Sequence, residues 1–125
     1  MKKEVVSENA QSAKGLLSQA LISNGMIYTA GFIHMNASGE LVQGTVENKL
    51  GQVMSNIKNV LEAAGSDMDS IVKVTIYVTD LSIGPELNEH YVKYFSEPLP
   101  VREMVQVAAL PLGAEIEISV IAEVK

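Results

Sequence analysis

The chain contains no cysteine. This absence excludes a disulfide framework, a thiolate metal site and a cysteine nucleophile. The two histidines, His34 and His90, lie far apart in the sequence. Neither belongs to an H-x₃-H or H-E-x-x-H motif, the spacings expected of a zinc site. No glycine pattern matches a P-loop or a dinucleotide fingerprint, and no serine lies in a G-x-S-x-G context. We therefore expect no metal ion and no other cofactor.

Positive charge is also scarce, since the net charge is −6 and the nine Lys and Arg residues are scattered. Without a basic stripe to neutralise phosphates, binding to nucleic acid is disfavoured. No apolar run approaches the roughly 20 residues of a membrane span. The first residues also lack the apolar stretch of a signal peptide. We expect a cytoplasmic protein that binds neither a membrane nor nucleic acid.

The chain has enough apolar residues for a core of its own, because 47% of its 125 residues are hydrophobic. No repeat, low-complexity run or Pro/Gly-rich linker interrupts it. This length and continuity predict a single domain over residues 1–125.

Apolar periodicity predicts two helices. In the first, the apolar residues follow the 3.6-residue period at Val46, Leu50, Val53, Met54, Ile57, Val60 and Leu61. Thr45 is its expected N-cap, and Gly65 is its expected left-handed C-terminal residue. The second helix is expected after Asp80, with Pro85 in its first turn and Pro98 beyond its end. Its apolar positions are Leu87, Tyr91, Tyr94 and Phe95.

Five strands are expected around these helices. Residues 17–32 read as a hairpin around Asn24-Gly25, the strongest two-residue hairpin signal. Alternating patterns over residues 71–79, 101–107 and 115–124 predict three more strands. The element order is β-β-α-β-α-β-β, an α+β fold in which the two helices cover one face of a mixed sheet.

The other face of the sheet must then meet a second subunit or line a pocket. In strand 71–79 we expect Val72 to share a face with Val74, Ile76 and Val78. We expect Met104 and Ile121 to lie on the face that the helices leave uncovered. Apolar groups on that face favour self-association.

Arg102 is the candidate site residue that stands out. It follows Leu99-Pro100 near the start of a strand, and a guanidinium is the preferred group for holding a carboxylate bidentately. Glu117 lies on the less apolar side of the last strand, where a carboxylate could position a water molecule. If the last two strands pair, both side chains could lie on one face. The pattern leaves open a structural Arg102–Glu117 ion pair or a solvated Glu117.

Several segments together resemble the RidA/YjgF family, also called the L-PSP endoribonuclease family. They are SENAQSAKG, MIYTAG, NIKNVLEAAGSDMDSIVKVTIYVTDL, NEHYVKYF and PVREMVQVAALPLGAEIEISVIA. The resemblance spans nearly the whole chain, and the last segment is its most specific part.

This resemblance implies a chorismate-mutase-like fold and a homotrimer with clefts between subunits. It also implies hydrolysis of a reactive enamine or imine, such as 2-aminoacrylate or 2-iminopropionate, to a 2-keto acid and ammonia. In the implied site, Arg102 holds the substrate carboxylate and Glu117 helps to position water. Gly31, the main chain at Met104, and Asn88 complete the substrate-binding cleft.

The chain departs from the family pattern at four positions. Leu17 replaces a tyrosine, Ala30 replaces a serine, and Glu103-Met104 replace Ser-Cys. The implied pocket is therefore more apolar, which suggests a bulkier or more apolar substrate, reduced deaminase activity or a non-enzymatic role. A trimer that binds small carboxylates or partner proteins without turnover is the alternative function. An endoribonuclease is disfavoured by the acidic composition.

Overall fold

The computed structural model describes residues 1–125 and contains seven strands and two α-helices. The strands are β1 (Lys3–Val5), β2 (Ala20–Ser23), β3 (Met26–Thr29), β4 (Phe32–Ile33), β5 (Ile71–Val78), β6 (Val101–Gln106) and β7 (Ile116–Glu123). The helices are α1 (Val46–Ala63) and α2 (Gly84–Tyr91). Neither helix is long and apolar enough to cross a membrane.

All the strands belong to one mixed sheet with the order β1-β2-β3-β7-β5-β6, and β4 pairs with β7 beside this path. β5 and β6 are parallel, as a strand–helix–strand crossover through α2 requires, and the other pairs are antiparallel. The expected α+β fold with a mixed sheet is confirmed. The short strands β1 and β4 are additions to the expected order.

The β2–β3 hairpin turns at the expected residues. Asn24 and Gly25 both have positive φ, at 50° and 76°, as a type I′ turn requires. This turn pairs Ile22 with Ile27 and sets the register of the hairpin.

Helix α1 begins and ends where its capping residues predict. The Thr45 hydroxyl accepts a hydrogen bond from the Asn48 N–H at 3.1 Å. Gly65 has a φ of 77°, and the next residue, Ser66, donates its N–H to the Leu61 carbonyl at 2.9 Å. The face that packs on the sheet consists of Leu50, Val53, Met54, Ile57, Val60 and Leu61, all fully buried.

The second helix is shorter than its apolar pattern suggests. α2 ends at Tyr91, and a 3₁₀ turn over Val92–Tyr94 follows it. Phe95 is already extended, because the chain must reverse there to enter β6. Tyr94 and Phe95 still pack against the core, so their predicted burial is partly retained.

The expected facing of Val72 is wrong. Ile71 lies opposite Ala122 while Lys73 lies opposite Ile121, so β5 carries one extra residue at a β-bulge. The bulge turns Ile71 into the core and leaves Val72 37% exposed.

The expected facing of Met104 is also wrong. In the parallel pair, Arg102 lies opposite Val74 and Met104 opposite Ile76, two fully buried residues of the helix-covered face. The valines of β6 point to the uncovered face instead, where Val101 is 67% exposed. β6 is an edge strand, so its long Arg and Met side chains reach over the core margin towards α2.

His34 is fully buried and links the chain after β4 to the segments that contain Val42 and Glu115. Its Nδ1 donates to the Val42 carbonyl at 2.7 Å, and its Nε2 accepts the Glu115 N–H at 2.9 Å. The two contacts require the neutral ring. Burial lowers the pKa of His34, against the Val42 contact that raises it. Lys49, which is paired with Glu115 at 2.9 Å, lowers this pKa further.

This arrangement predicts an acid-sensitive fold. In the unfolded chain His34 takes up a proton below its ordinary pKa of 6.5, whereas in the folded chain its lowered pKa keeps it neutral to lower pH. The free energy of unfolding should therefore fall below about pH 6.5, by up to about 1.4 kcal/mol per pH unit. Denaturant unfolding of the wild type and of His34→Gln between pH 7.5 and 5 measures this slope.

His34→Gln is the matched control, because an amide can donate to Val42 and accept from Glu115 but does not titrate in this range. The difference between the two slopes isolates His34 from the carboxyl groups of the chain. Equal slopes in the two proteins would contradict a neutral, buried His34.

Candidate functional site

Arg102 is the only arginine in the chain. Its Nη2 donates to the Asn88 side-chain oxygen at 2.6 Å. Its guanidinium carbon lies 4.7 Å from the centre of the Tyr91 ring. Asn88 and Tyr91 are three residues apart on α2, so both lie on the helix side that faces β6. The first turn of α2 also lies beside Met104, whose sulfur is 4.0 Å from the position of a Cβ at Gly84.

These four residues, Asn88, Tyr91, Arg102 and Met104, are called the arginine half-site below. No carboxylate of the chain forms an ion pair with Arg102. The structural ion pair with Glu117, which the sequence pattern left open, is therefore absent. The guanidinium is held by a neutral amide and a neutral ring, and its positive charge remains available to an anion.

Glu117 lies on β7, opposite Ile33 of β4 and Tyr77 of β5. Gly31 approaches it closely, because a Cβ on Gly31 would lie 2.5 Å from Glu117 Oε2 and 2.9 Å from its carboxyl carbon. Real Cβ atoms do not come so close to a neighbour, so only glycine leaves the carboxylate where it is. Gly31 and Glu117 are called the glutamate half-site.

The Glu117 carboxylate is half-buried and makes no hydrogen bond or ion pair within the chain. Burial raises the pKa of this carboxyl group above its ordinary value of 4.5. A carboxyl group with a raised pKa is better matched to giving and taking protons near neutral pH. The glutamate half-site therefore provides a proton-transfer group without a cation to neutralise it.

The two half-sites lie on opposite faces of the sheet. β6 and β7 do not pair, since β5 lies between them. Arg102 lies opposite Val74 of β5 and Glu117 opposite Tyr77, three residues further on, and side chains alternate between faces along a strand. The sequence analysis expected Arg102 and Glu117 to share a face only if the last two strands pair, and they do not pair. From strand spacing and rise, their Cα atoms are roughly 14 Å apart.

Three other positions singled out in the sequence are Leu17, Ala30 and Glu103. The first two lie near the glutamate half-site, and Glu103 lies away from the arginine half-site. The Ala30 N–H donates to the Gln19 carbonyl at 2.8 Å, which places Leu17 at the same end of the hairpin as Ala30 and Gly31. Leu17 is 50% exposed and lines a cavity of about 480 Å³ with residues of the 4–19 segment. Glu103 lies on the uncovered face, where it pairs with Lys73 at 3.2 Å, away from the arginine half-site.

Tyr91 is the site residue that the sequence analysis assigned only to the core. It is 95% buried, so that assignment was correct, but its ring also faces Arg102. Its place at the site could have been predicted from its three-residue spacing from Asn88, because this spacing puts both side chains on one helix face.

Comparison with known proteins identifies the family. A family model described as endoribonuclease L-PSP matches residues 7–124. The chain belongs to this family, which is the RidA/YjgF family. It is 44% identical over 124 residues to the Arabidopsis thaliana protein named Reactive Intermediate Deaminase A, chloroplastic. The match covers 98% of this chain and 66% of that protein.

Two further relatives extend the comparison within the RidA/YjgF family. The Rattus norvegicus protein named 2-iminobutanoate/2-iminopropanoate deaminase is 40% identical over 123 residues, which are 98% of this chain and 90% of that protein. The crystal structure of yeast Mmf1 superposes with a TM-score of 0.97 at 36% identity and covers all of both chains. The resemblance inferred from the sequence is confirmed. Since one relative is chloroplastic by name, the cytoplasmic location stays a prediction.

The close approach at Gly31 generates a prediction. In Gly31→Ala the methyl group should push the Glu117 carboxylate aside, and the end of a flexible side chain moves at little cost in stability. We expect the free energy of unfolding to change by less than about 1 kcal/mol, below the usual range for overpacking. Turnover that depends on the Glu117 carboxylate should fall at least about tenfold, because a displacement of about 1 Å costs that much or more.

Gly51→Ala is the matched control, because a Cβ there meets only the Tyr94 hydroxyl at an ordinary 3.7 Å. In a helix interior alanine is favoured over glycine, so this variant should keep both its activity and its stability. Full activity in Gly31→Ala would show that the position of the Glu117 carboxylate is unimportant.

Proposed function

We propose that this protein hydrolyses reactive enamines and imines of the 2-aminoacrylate/2-iminopropionate type to a 2-keto acid and ammonia. The observation that carries the proposal is Arg102, a single arginine held by neutral groups beside a helix and free of any carboxylate partner. A guanidinium so placed suits the carboxylate that these substrates share. The names of the relatives support the same reaction class.

In the proposed reaction, Arg102 holds the substrate carboxylate while the Glu117 carboxylate accepts a proton from water. The water oxygen forms a bond to the carbon of the protonated imine and gives a neutral carbinolamine. Glu117 then returns its proton to nitrogen. As the C–N bond breaks and ammonia leaves, the hydroxyl proton passes to the Glu117 carboxylate and the carbonyl forms. The raised pKa of Glu117 suits these transfers. Orientation and exclusion of bulk water supply the rest.

The opposite orientation of the half-sites bears on assembly. Arg102 and Glu117 of one chain point to opposite faces of the sheet, so a three-carbon acid on one face cannot contact both side chains. We infer that the arginine half-site of one chain meets the glutamate half-site of another. The uncovered face carries Val101, Val105 and Ile121 and so favours burial against other copies. A homotrimer is the proposed assembly.

The composition of the cleft suggests the substrate side chain. Leu17 is exposed at the Gly31 end of the hairpin, and Met104 lies beside Arg102 on β6. Methionine adapts its shape to varied apolar groups. An imine with an aliphatic side chain larger than methyl therefore fits this proposal better than a small polar one.

Two other functions remain as outcomes of the tests. A trimer that binds small carboxylates without turnover would use the arginine half-site alone, and the leucine at position 17 favours it. An endoribonuclease, as the family model is described, would need cationic groups along the RNA backbone. The net charge of −6 and the single arginine oppose that function.

Removing the guanidinium should abolish efficient turnover. Truncating one partner of a desolvated charge pair costs roughly 2–5 kcal/mol. We therefore expect Arg102→Ala to lose about 30-fold to several thousand-fold in kcat/KM for an enzymatically generated 2-iminobutanoate. Arg102→Lys should recover little, because an ammonium lacks the planar fork. Glu117→Gln should lower kcat while still binding 2-oxobutanoate.

Melting temperature and oligomeric mass, measured on the same preparations, separate this result from unfolding. An arginine-selective dicarbonyl reagent gives an independent check, since Arg102 is its only arginine target and 2-oxobutanoate should protect it. Wild-type turnover by folded Arg102→Ala would refute the proposed site. Binding without turnover in the wild type would favour the non-catalytic trimer, and cleavage of RNA by nuclease-free protein would favour the endoribonuclease.

A further inference from the structure

We propose that Tyr91 is the positioning residue for Arg102: its ring holds the guanidinium in the plane and direction in which it meets a carboxylate. This inference rests on the proposed function, because it concerns the same arginine. It adds a residue that acts through Arg102 and does not itself touch the substrate.

Two contacts fix the guanidinium, and both come from α2. The guanidinium carbon lies over the Tyr91 ring, 4.7 Å from the ring centre. Asn88 accepts from Nη2 at 2.6 Å. These two contacts, with the ring and with the amide oxygen, together restrict the position and the rotation of the guanidinium. Since an arginine has five N–H donors, most of them remain available for a bidentate anion.

The ring is itself held firmly. Tyr91 is 95% buried, and its ring packs against Phe95 at 4.8 Å between centres with a tilt of 42°. Phe95, Tyr91 and Arg102 thus lie in a row of successive contacts that ends at the edge strand β6. A long side chain on an edge strand would otherwise lose this order, and each ligand would pay the cost of restoring it.

We attribute the contact to the aromatic ring rather than to the hydroxyl group, because the guanidinium carbon lies over the ring. The buried Tyr91 hydroxyl has no hydrogen-bond partner of good geometry in the chain. Burial raises the pKa of Tyr91, while the charge of Arg102 and its hydrogen bonding to the phenol lower this pKa, and the net rise keeps the phenol neutral. A ring without charge stabilises the guanidinium through its π face and leaves the positive charge for a ligand.

The test measures the affinity for 2-oxobutanoate in a double-mutant cycle. Tyr91→Leu removes the ring and should weaken binding by about 3- to 30-fold, the range of a cation–π contact. Tyr91→Phe keeps the ring and should retain most of the affinity. In the Arg102→Ala background, Tyr91→Leu should have no further effect, because there is no guanidinium left to position. KM should rise in Tyr91→Leu more than kcat falls.

Tyr94→Leu is the control for general loss of an aromatic side chain, since Tyr94 packs against the core but makes no hydrogen bond or cation–π contact with Arg102. It should bind 2-oxobutanoate like the wild type. A second readout does not depend on the stability of the variants. The single arginine gives one assignable Nε–Hε NMR signal, and a proton over a ring face should be shifted upfield in the wild type.

The outcomes distinguish the two proposals. If Arg102→Ala weakens binding but Tyr91→Leu does not, the positioning inference is wrong and the deaminase site stands. An unshifted, rapidly exchanging Arg102 Nε–Hε signal would also overturn it, even if Tyr91→Leu fails to fold. If Arg102→Ala changes neither binding nor turnover, the proposed function fails, and the role of Tyr91 fails with it.

Discussion

The position of β5 between β6 and β7 decides where each candidate residue points. β5 is parallel to β6 because the chain crosses over through α2, and it is antiparallel to β7. The two registers place Arg102 opposite Val74 and Glu117 opposite Tyr77, an odd spacing that sends them to opposite faces. A slip of one residue in either pair would bring them to the same face, so the buried row of β5 fixes the geometry of both half-sites.

Each half-site is electrostatically incomplete within one chain. Arg102 has an amide and an aromatic ring as neighbours, and Glu117 has a glycine and a partly dry environment. Charges kept without a partner cost free energy and are commonly associated with function. The account in which two chains complete one cleft explains both features with a single arrangement.

Local patterns predicted much of this fold. The stripe and caps of α1, the Asn24-Gly25 turn and the central strand followed from periodicity and turn chemistry. The facing of β6 did not, because an edge strand that packs with Arg and Met and exposes Val101 reverses the usual alternation. The bulge at Val72 has no local sequence signal. The strand–helix–strand order did imply that β5 and β6 are parallel. A β5–β6 pair could therefore have been expected in place of the β6–β7 pair.

Most residues of the candidate site were named in advance, but Tyr91 and the grouping were not. The sequence pattern named Arg102 and Glu117, the family resemblance added Asn88 and Gly31, and the structure sorts them into two half-sites. Sorting them required strand order and register, which depend on contacts distant in sequence. The contact of Tyr91 with Arg102 likewise depends on the approach of α2 to an edge strand.

Complementation between two inactive variants tests the central claim most directly. Arg102→Ala and Glu117→Gln chains, carrying different tags, are refolded together, and the mixed oligomers are purified through both tags. If each cleft combines Arg102 of one chain with Glu117 of the next around a homotrimer, every purified mixed trimer has one intact cleft among its three, and about a third of wild-type turnover returns. If mixed oligomers form and turnover stays at the level of the parent variants, the two residues do not act across a subunit boundary, and the account is contradicted.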